Sequence, residues 1–138
     1  MVQNPMYSLF LEALKFRDAL EKCDRSLLPE NSNNFPSGLC REINLIFSCY
    51  LKEKGFGEFD YVEGKRRGRV HSWLKCGNTI VDITADQFDD MIEKVIVSSR
   101  SCWHDEFGGI VVHRGSDFEL NGDLNYEGFK DLIFGNVH

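Results

Sequence analysis

No stretch of this 138-residue chain stays apolar over the roughly 20 residues that a membrane-spanning helix requires, so no membrane contact is expected. Basic residues are in the minority: 16 Lys and Arg stand against 22 Asp and Glu, and a formal charge of −6 argues against general nucleic-acid binding. None of the five cysteines (Cys23, Cys40, Cys49, Cys76, Cys102) forms a C-x-x-C pair, and their number is odd. That pattern predicts free thiols in a reducing, cytoplasmic setting rather than a disulfide framework. The opening "MVQNPMYS" has neither the basic nor the apolar region of a signal peptide. Repeats, low-complexity tracts and long linkers are also missing, so residues 1–138 read as a single domain. What remains is ordinary globular composition, 42 % hydrophobic and 28 % charged, in a chain long enough to bury a core.

The periodicity changes part-way along. Asn4-Pro5 reads as an N-cap followed by proline at the first helical position, and Leu9, Ala13, Phe16 and Leu20 continue a helical stripe, which predicts a helix over 5–24. Residues 26–38 are dense in Pro, Asn, Ser and Gly and read as a loop. The stripe resumes through Ile43, Phe47, Tyr50 and Leu51 and stops at Gly55, predicting a second helix over 39–54. Beyond it the period is two. Residues 58–64, 69–75 and 79–84 read as successive antiparallel strands, "KVIVSS" and "GIVVHR" as two further short runs, and "NYEGFKDLIF" as a closing helix. Helices first and strands afterwards predict an α+β domain, with N-terminal helices packed on an antiparallel sheet.

"RVHSWLKCGNTIVDIT" (69–84) sets an imidazole and a carboxylate into what otherwise reads as sheet core. Gly77-Asn78 is a two-residue hairpin turn, with glycine supplying φ > 0 at the first central position. If Cys76 faces Thr79, Trp73 faces Asp82, and His71 and Asp82 become diagonal neighbours on one face, roughly 7–8 Å apart at Cα. A three-residue loop would put them on opposite faces. The pair then reads either as two solvated groups or as a general base whose tautomer a carboxylate fixes.

A base of that kind needs a nucleophile. No G-x-S-x-G motif is present, but Cys40 stands at the start of the second helix in "FPSGLCREIN". With Ser37 as cap, Cys40 lies in the first turn, where unpaired N–H groups and the helix dipole favour a thiolate. Cys49, nine residues on, is about 900° around the helix and so on its opposite side, which reads as a packed thiol.

A thiol at a helix start, then His and Asp on neighbouring strands, resembles the transglutaminase-like branch of the papain-like cysteine enzymes. The matching segments are "PSGLCREIN", "VHSWL" and "VDIT", within about residues 35–88. The resemblance implies a papain-like or transglutaminase-like core, with Cys40 as nucleophile, His71 as general base and acid, and Asp82 as orienter. It implies a cysteine-dependent hydrolase acting on an amide of a protein or peptide, with no cofactor and no metal. The alternatives are a thiol acyltransferase or an inactive binding module of the same fold. "SGLCREIN" is also similar to the arylamine N-acetyltransferase pattern G-x-C-x-E-x-N, through Gly38, Cys40, Glu42 and Asn44, in a family of considerably larger chains. The Cys40 N–H is one candidate oxyanion donor, and Asn33, Asn34 and Gln87 are candidates for a second, with turn or cap chemistry as the plainer reading of each.

Three other features have plainer readings. The basic cluster "GKRRGR" (64–69) reads as a solvated hairpin loop, with attraction of an acidic substrate as the alternative. Cys76, Cys102 and His104 lack the spacing of a zinc site. Trp103, in "SCWHDEFGG", reads as packing, beside the alternative of a cleft wall.

Overall fold

The computed structural model describes residues 5–22, 40–115 and 126–134, and the statements below concern these. Two helices come first, α1 (Pro5–Lys22) and α2 (Cys40–Glu53), followed by strands β1 (Asp60–Arg66), β2 (Arg69–Cys76) and β3 (Thr79–Asp82). A single 3₁₀ turn (Ala85–Gln87), β4 (Ile96–Ser98), the one-turn helix α3 (Cys102–Asp105), β5 (Ile110–His113) and α4 (Tyr126–Phe134) complete the order. The strands form one antiparallel sheet in the order β4-β3-β2-β1-β5, so the chain is α+β, as the change of period predicts. The predicted loop at 26–38 and the Asn4 cap lie outside the described residues.

The helical stripes bury as read. Leu9, Ala13, Phe16 and Leu20 of α1 meet Ile43, Ile46, Phe47, Tyr50 and Leu51 of α2, and both rows close on Tyr61, Leu74, Val81 and Ile83 of the sheet. Phe134 of α4 stacks on Tyr50 and meets Phe16 edge-on. At the end of α2, Gly55 N–H donates to Lys52 O and Phe56 N–H to Leu51 O, the paired bonds of a Schellman cap. The opposite face of the sheet carries a second cluster of Val62, Trp73, Ile80, Phe88 and Phe107, with Trp103 packed against it.

Two of the first three strands end two residues from their predicted bounds, each for a local reason. The first continues through Lys65 and Arg66 to a two-residue turn at Arg67 and Gly68, so the basic cluster is mostly strand rather than loop. The third stops at Asp82 instead of 84. There Arg17 of α1 donates to Ile83 O at 2.7 Å and forks onto Asp86, while Thr84 N–H donates back to Asp82 Oδ1 at 2.9 Å, which turns the chain out of the ladder. Arg17 is itself 3 % exposed, so this clamp is a buried one.

Candidate active site

The β2–β3 hairpin has the register that a Gly77-Asn78 turn dictates: Cys76 pairs with Thr79, Lys75 with Ile80 and Leu74 with Val81. Gly77 takes φ 60°, the left-handed conformation that glycine adopts without steric cost. The parity of this register sends His71 and Asp82 to the same side, and both are fully buried. His71 Nε2 lies 2.6 Å from Asp82 Oδ2. The solvated reading of the pair is therefore overturned: the imidazole sits among Trp73, Phe88, Trp103 and Phe107, with ring centroids 5.1–5.8 Å away.

A third polar group joins them, one that the sequence pattern does not reveal. His104, on α3, is 1 % exposed and places its Nε2 2.6 Å from the same Asp82 Oδ2. Ser101 caps α3 by accepting from His104 N–H, and its Oγ also meets His104 Nδ1. The proton positions follow from the partners. Gln87 Nε2 donates to Thr84 O at 3.1 Å, which orients the amide, and the same nitrogen donates to His71 Nδ1 at 3.1 Å. Nδ1 is thus an acceptor, and the ring proton sits on Nε2, facing Asp82. His104 has the same tautomer, because a bare Nε2 would oppose a carboxylate oxygen. Asp82 consequently accepts three N–H groups, two from imidazoles and one from the Thr84 backbone. Burial alone would raise its carboxyl, but the bonded imidazoles of His71 and His104 outweigh that and hold it well below the usual carboxylate range.

Ligand atoms of His71, Asp82 and His104 all lie within 4.8 Å of one another, a spacing that a cation could also use. A metal held by both Nε2 atoms would move the ring protons to Nδ1. Gln87 would then have to turn its oxygen toward His71, against the Thr84 carbonyl. The donor set fits a hydrogen-bonded cluster better than a metal centre. Of the sequence's weaker metal candidates, Cys76 and Cys102 are exposed and only His104 enters the buried site.

Cys40 is the first residue of α2, as the helix-start reading requires; its side chain, like Ser37, Asn33 and Asn34, lies outside the described set. One turn along, Asn44 is fully buried and donates from Nδ2 to both the carbonyl and the Oγ of Ser72, each at 3.3 Å. The β2–β3 ladder ends at Leu74–Val81, and α2 packs on the face of β2 that carries Ser72 and Leu74. The backbone start of α2 is about 6 Å of helix axis from Asn44. Gln87, one of the candidate oxyanion donors, spends its amide on His71 and Thr84.

The basic cluster is only partly at the surface. Arg66 has a side chain 10 % exposed, pairs with Asp90 at 2.8 Å and Glu106 at 3.1 Å, and lies over Trp103 and Phe107 at 5.0 and 4.7 Å. Its hydrogen bond to Asp90 leads the effects that raise its already high pKa. The solvated-loop reading therefore fails for Arg66. It acts as a charged lid on the aromatic shell, and Trp103 packs beneath it as the plainer reading of that residue expects. Gly64 makes the shell tight, because a Cβ there would sit 2.7 Å from both Cβ and O of Phe107.

Comparison with known proteins finds no similar family model, no curated protein and no solved structure that matches this chain.

Proposed function

We propose that this chain is a cysteine-dependent hydrolase acting on an amide of a protein or peptide, with a papain-like or transglutaminase-like core and a Cys40-His71-Asp82 triad. The observation that carries the reading is the buried 2.6 Å bond between His71 Nε2 and Asp82 Oδ2, which leaves Nδ1 as the basic nitrogen. The placement of Cys40 at the start of α2, one turn from the residue bonded to Ser72, adds support. In the reaction His71 Nδ1 takes the Cys40 proton, and the thiolate adds to the amide carbonyl carbon. The C–N bond breaks as His71 returns the proton to the departing amine, leaving an acyl-thioester. Water, with His71 again as base, then releases the acid; an amine in its place would make the chain an acyltransferase. His71 projects on the face opposite Ser72, toward Trp73 and Phe88, and Gln87 contacts its Nδ1.

Alkylation tests this. Iodoacetamide at pH 6, followed by peptide mapping, should label Cys40 at least about ten-fold faster than the other four cysteines. Cys49 is the internal control, since burial raises its thiol and leaves little thiolate at that pH. The Cys40 advantage should vanish in His71→Ala. Equal labelling of Cys40 and Cys49 would remove the enzyme reading. The full burial of His71 would then favour a binding module of the same fold.

A further inference from the structure

We propose that His104 is a positioning residue for the proposed triad: it divides the Asp82 carboxylate with His71 and so sets how strongly Asp82 supports that imidazole. This rests on the Cys40-His71-Asp82 reading for its role in chemistry. The geometry behind it stands without that reading. Both imidazoles address one oxygen, Asp82 Oδ2, at 2.6 Å each, while Oδ1 is occupied by Thr84 N–H. A carboxylate oxygen that accepts two donors gives less to each than it would to one. His104 is held to the task from its own side. Ser101 binds its backbone N–H and meets Nδ1, which leaves Nε2–H to point at Asp82. The two rings are 6.2 Å apart and within 30° of parallel, so each sees the same carboxylate from a similar angle.

Charge accounting gives the arrangement a direction. With both rings neutral the cluster carries one negative charge, and one added proton neutralises it. A second would leave a buried net positive charge, which is unfavourable in an apolar shell. The charged groups on the packed elements include Arg66 on β1, Arg69 and Lys75 on β2, Asp86 and Asp90 after β3, and Asp105 and Glu106 at α3. Arg66 is paired with Asp90 and Glu106, Asp86 with Arg17, and Arg69 lies over Phe88. Lys75 and Asp105 share a cavity of about 240 Å³ with His104. The bonds to Asp82 itself thus come from His71, His104 and Thr84 N–H, and removing the His104 donor should concentrate the carboxylate on His71.

The test uses the full chain with His104→Phe, which keeps ring shape without a donor, and His104→Gln, whose amide restores one. In a Cys40→Ala background, ring nitrogen NMR follows His71 without a thiol partner. His104→Phe should raise its titration midpoint by about one pH unit, and His104→Gln should return it toward the parent value. With Cys40 present, His104→Phe should shift the acid limb of the alkylation profile to lower pH, because a better-supported imidazolium stabilises the thiolate. Ser101→Ala, which loosens His104 without emptying its site, should give a smaller shift in the same direction, and it carries the test if His104→Phe does not fold. An unchanged His71 midpoint in the folded variants, with only the melting temperature lowered, would overturn the proposal. An unreactive Cys40 in the parent chain would instead fail the thiol reading, while the His71 midpoint still decides the role of His104.

Discussion

The two faces of the sheet bury side chains for different ends. Toward α1 and α2 the contacts are mainly aliphatic and aromatic, with Phe16, Phe47 and Tyr50 rings 4.8–6.4 Å apart. Toward α3 and the 3₁₀ turn, an aromatic shell encloses two imidazoles and a carboxylate. The first face gains stability from removing apolar area from water, in rough proportion to that area. The second surrounds polar groups that are favourable only while every donor has its acceptor. Function is therefore expected to concentrate on the polar face, and stability to be spread over the helical one. Variants on each face can break or sharpen that division.

The largest expected effect on activity is that of Asp82→Asn. The amide must present an NH₂ either to the two imidazole N–H groups or to Thr84 N–H, so at least one donor meets a donor. Loss of charge-assisted bonds of this kind should destabilise by about 3 kcal/mol. Turnover of a responsive amide should fall by up to about 10⁴-fold, as expected when the group fixing the histidine tautomer is lost. Chemical denaturation and rate measurements check the two parts separately. An Asp82→Asn chain with parental stability and Cys40 reactivity would place the polar cluster outside both folding and chemistry.

Phe47→Ala probes the other face. Phe47 is fully buried against Phe16 and Tyr50, so the change should cost about 3–5 kcal/mol. Cys40 in the surviving folded molecules should keep its labelling advantage at pH 6. A lost advantage in folded protein would mean that the helical layer tunes the thiol, and the division of labour would be wrong.

The sequence makes the helical face and half of the polar face legible. The 3.6-residue stripes name the helical core residues, because each helix buries one side only. The His71–Asp82 contact is readable from Gly77-Asn78, because a two-residue turn fixes register parity, and parity fixes the face. His104 is not readable in the same way. It comes from a one-turn helix, and it meets a carboxylate 22 positions away across unrelated local structure. The one local signal is Ser101 three residues before it, which is a capping spacing. Arg66 escapes for a similar reason: a basic run looks solvated unless its neighbours Trp103 and Phe107 are known to lie beneath it. The place of β5 beside β1 at the far edge follows from tertiary packing, not chain order.

Acid should act on the polar face. Asp82 is held below its usual range in the folded chain, whereas in the unfolded chain its value is about 3.9. A group depressed on folding contributes its stability in full above the unfolded value, and that contribution falls as pH drops below it toward the folded one. Stability measured by denaturant at pH 5 and then at pH 3 should therefore decline, and Asp82→Asn should decline less over the same interval. An equal decline in both would assign the acid sensitivity to groups other than Asp82.

Cys49→Ala should have the smallest effect, and it sharpens the comparison by isolating one thiol from another on the same helix. Cys49 is half-buried, and desolvation raises its thiol, so it is a small packed side chain with little thiolate near neutrality. Replacing sulfur by hydrogen removes modest apolar contact from a site that is only partly enclosed. About 1 kcal/mol is the expected cost, read as a small drop in denaturation midpoint at constant slope. Cys40 lies at the N-terminus of α2, where the helix dipole favours the thiolate, whereas Cys49 lies in its C-terminal half, where the dipole opposes it. Labelling of Cys40 at pH 6 should accordingly be unchanged in Cys49→Ala. If the change instead slows Cys40, the two thiols are coupled through α2, and the separation between a stabilising helical layer and a reactive helix start fails at that helix.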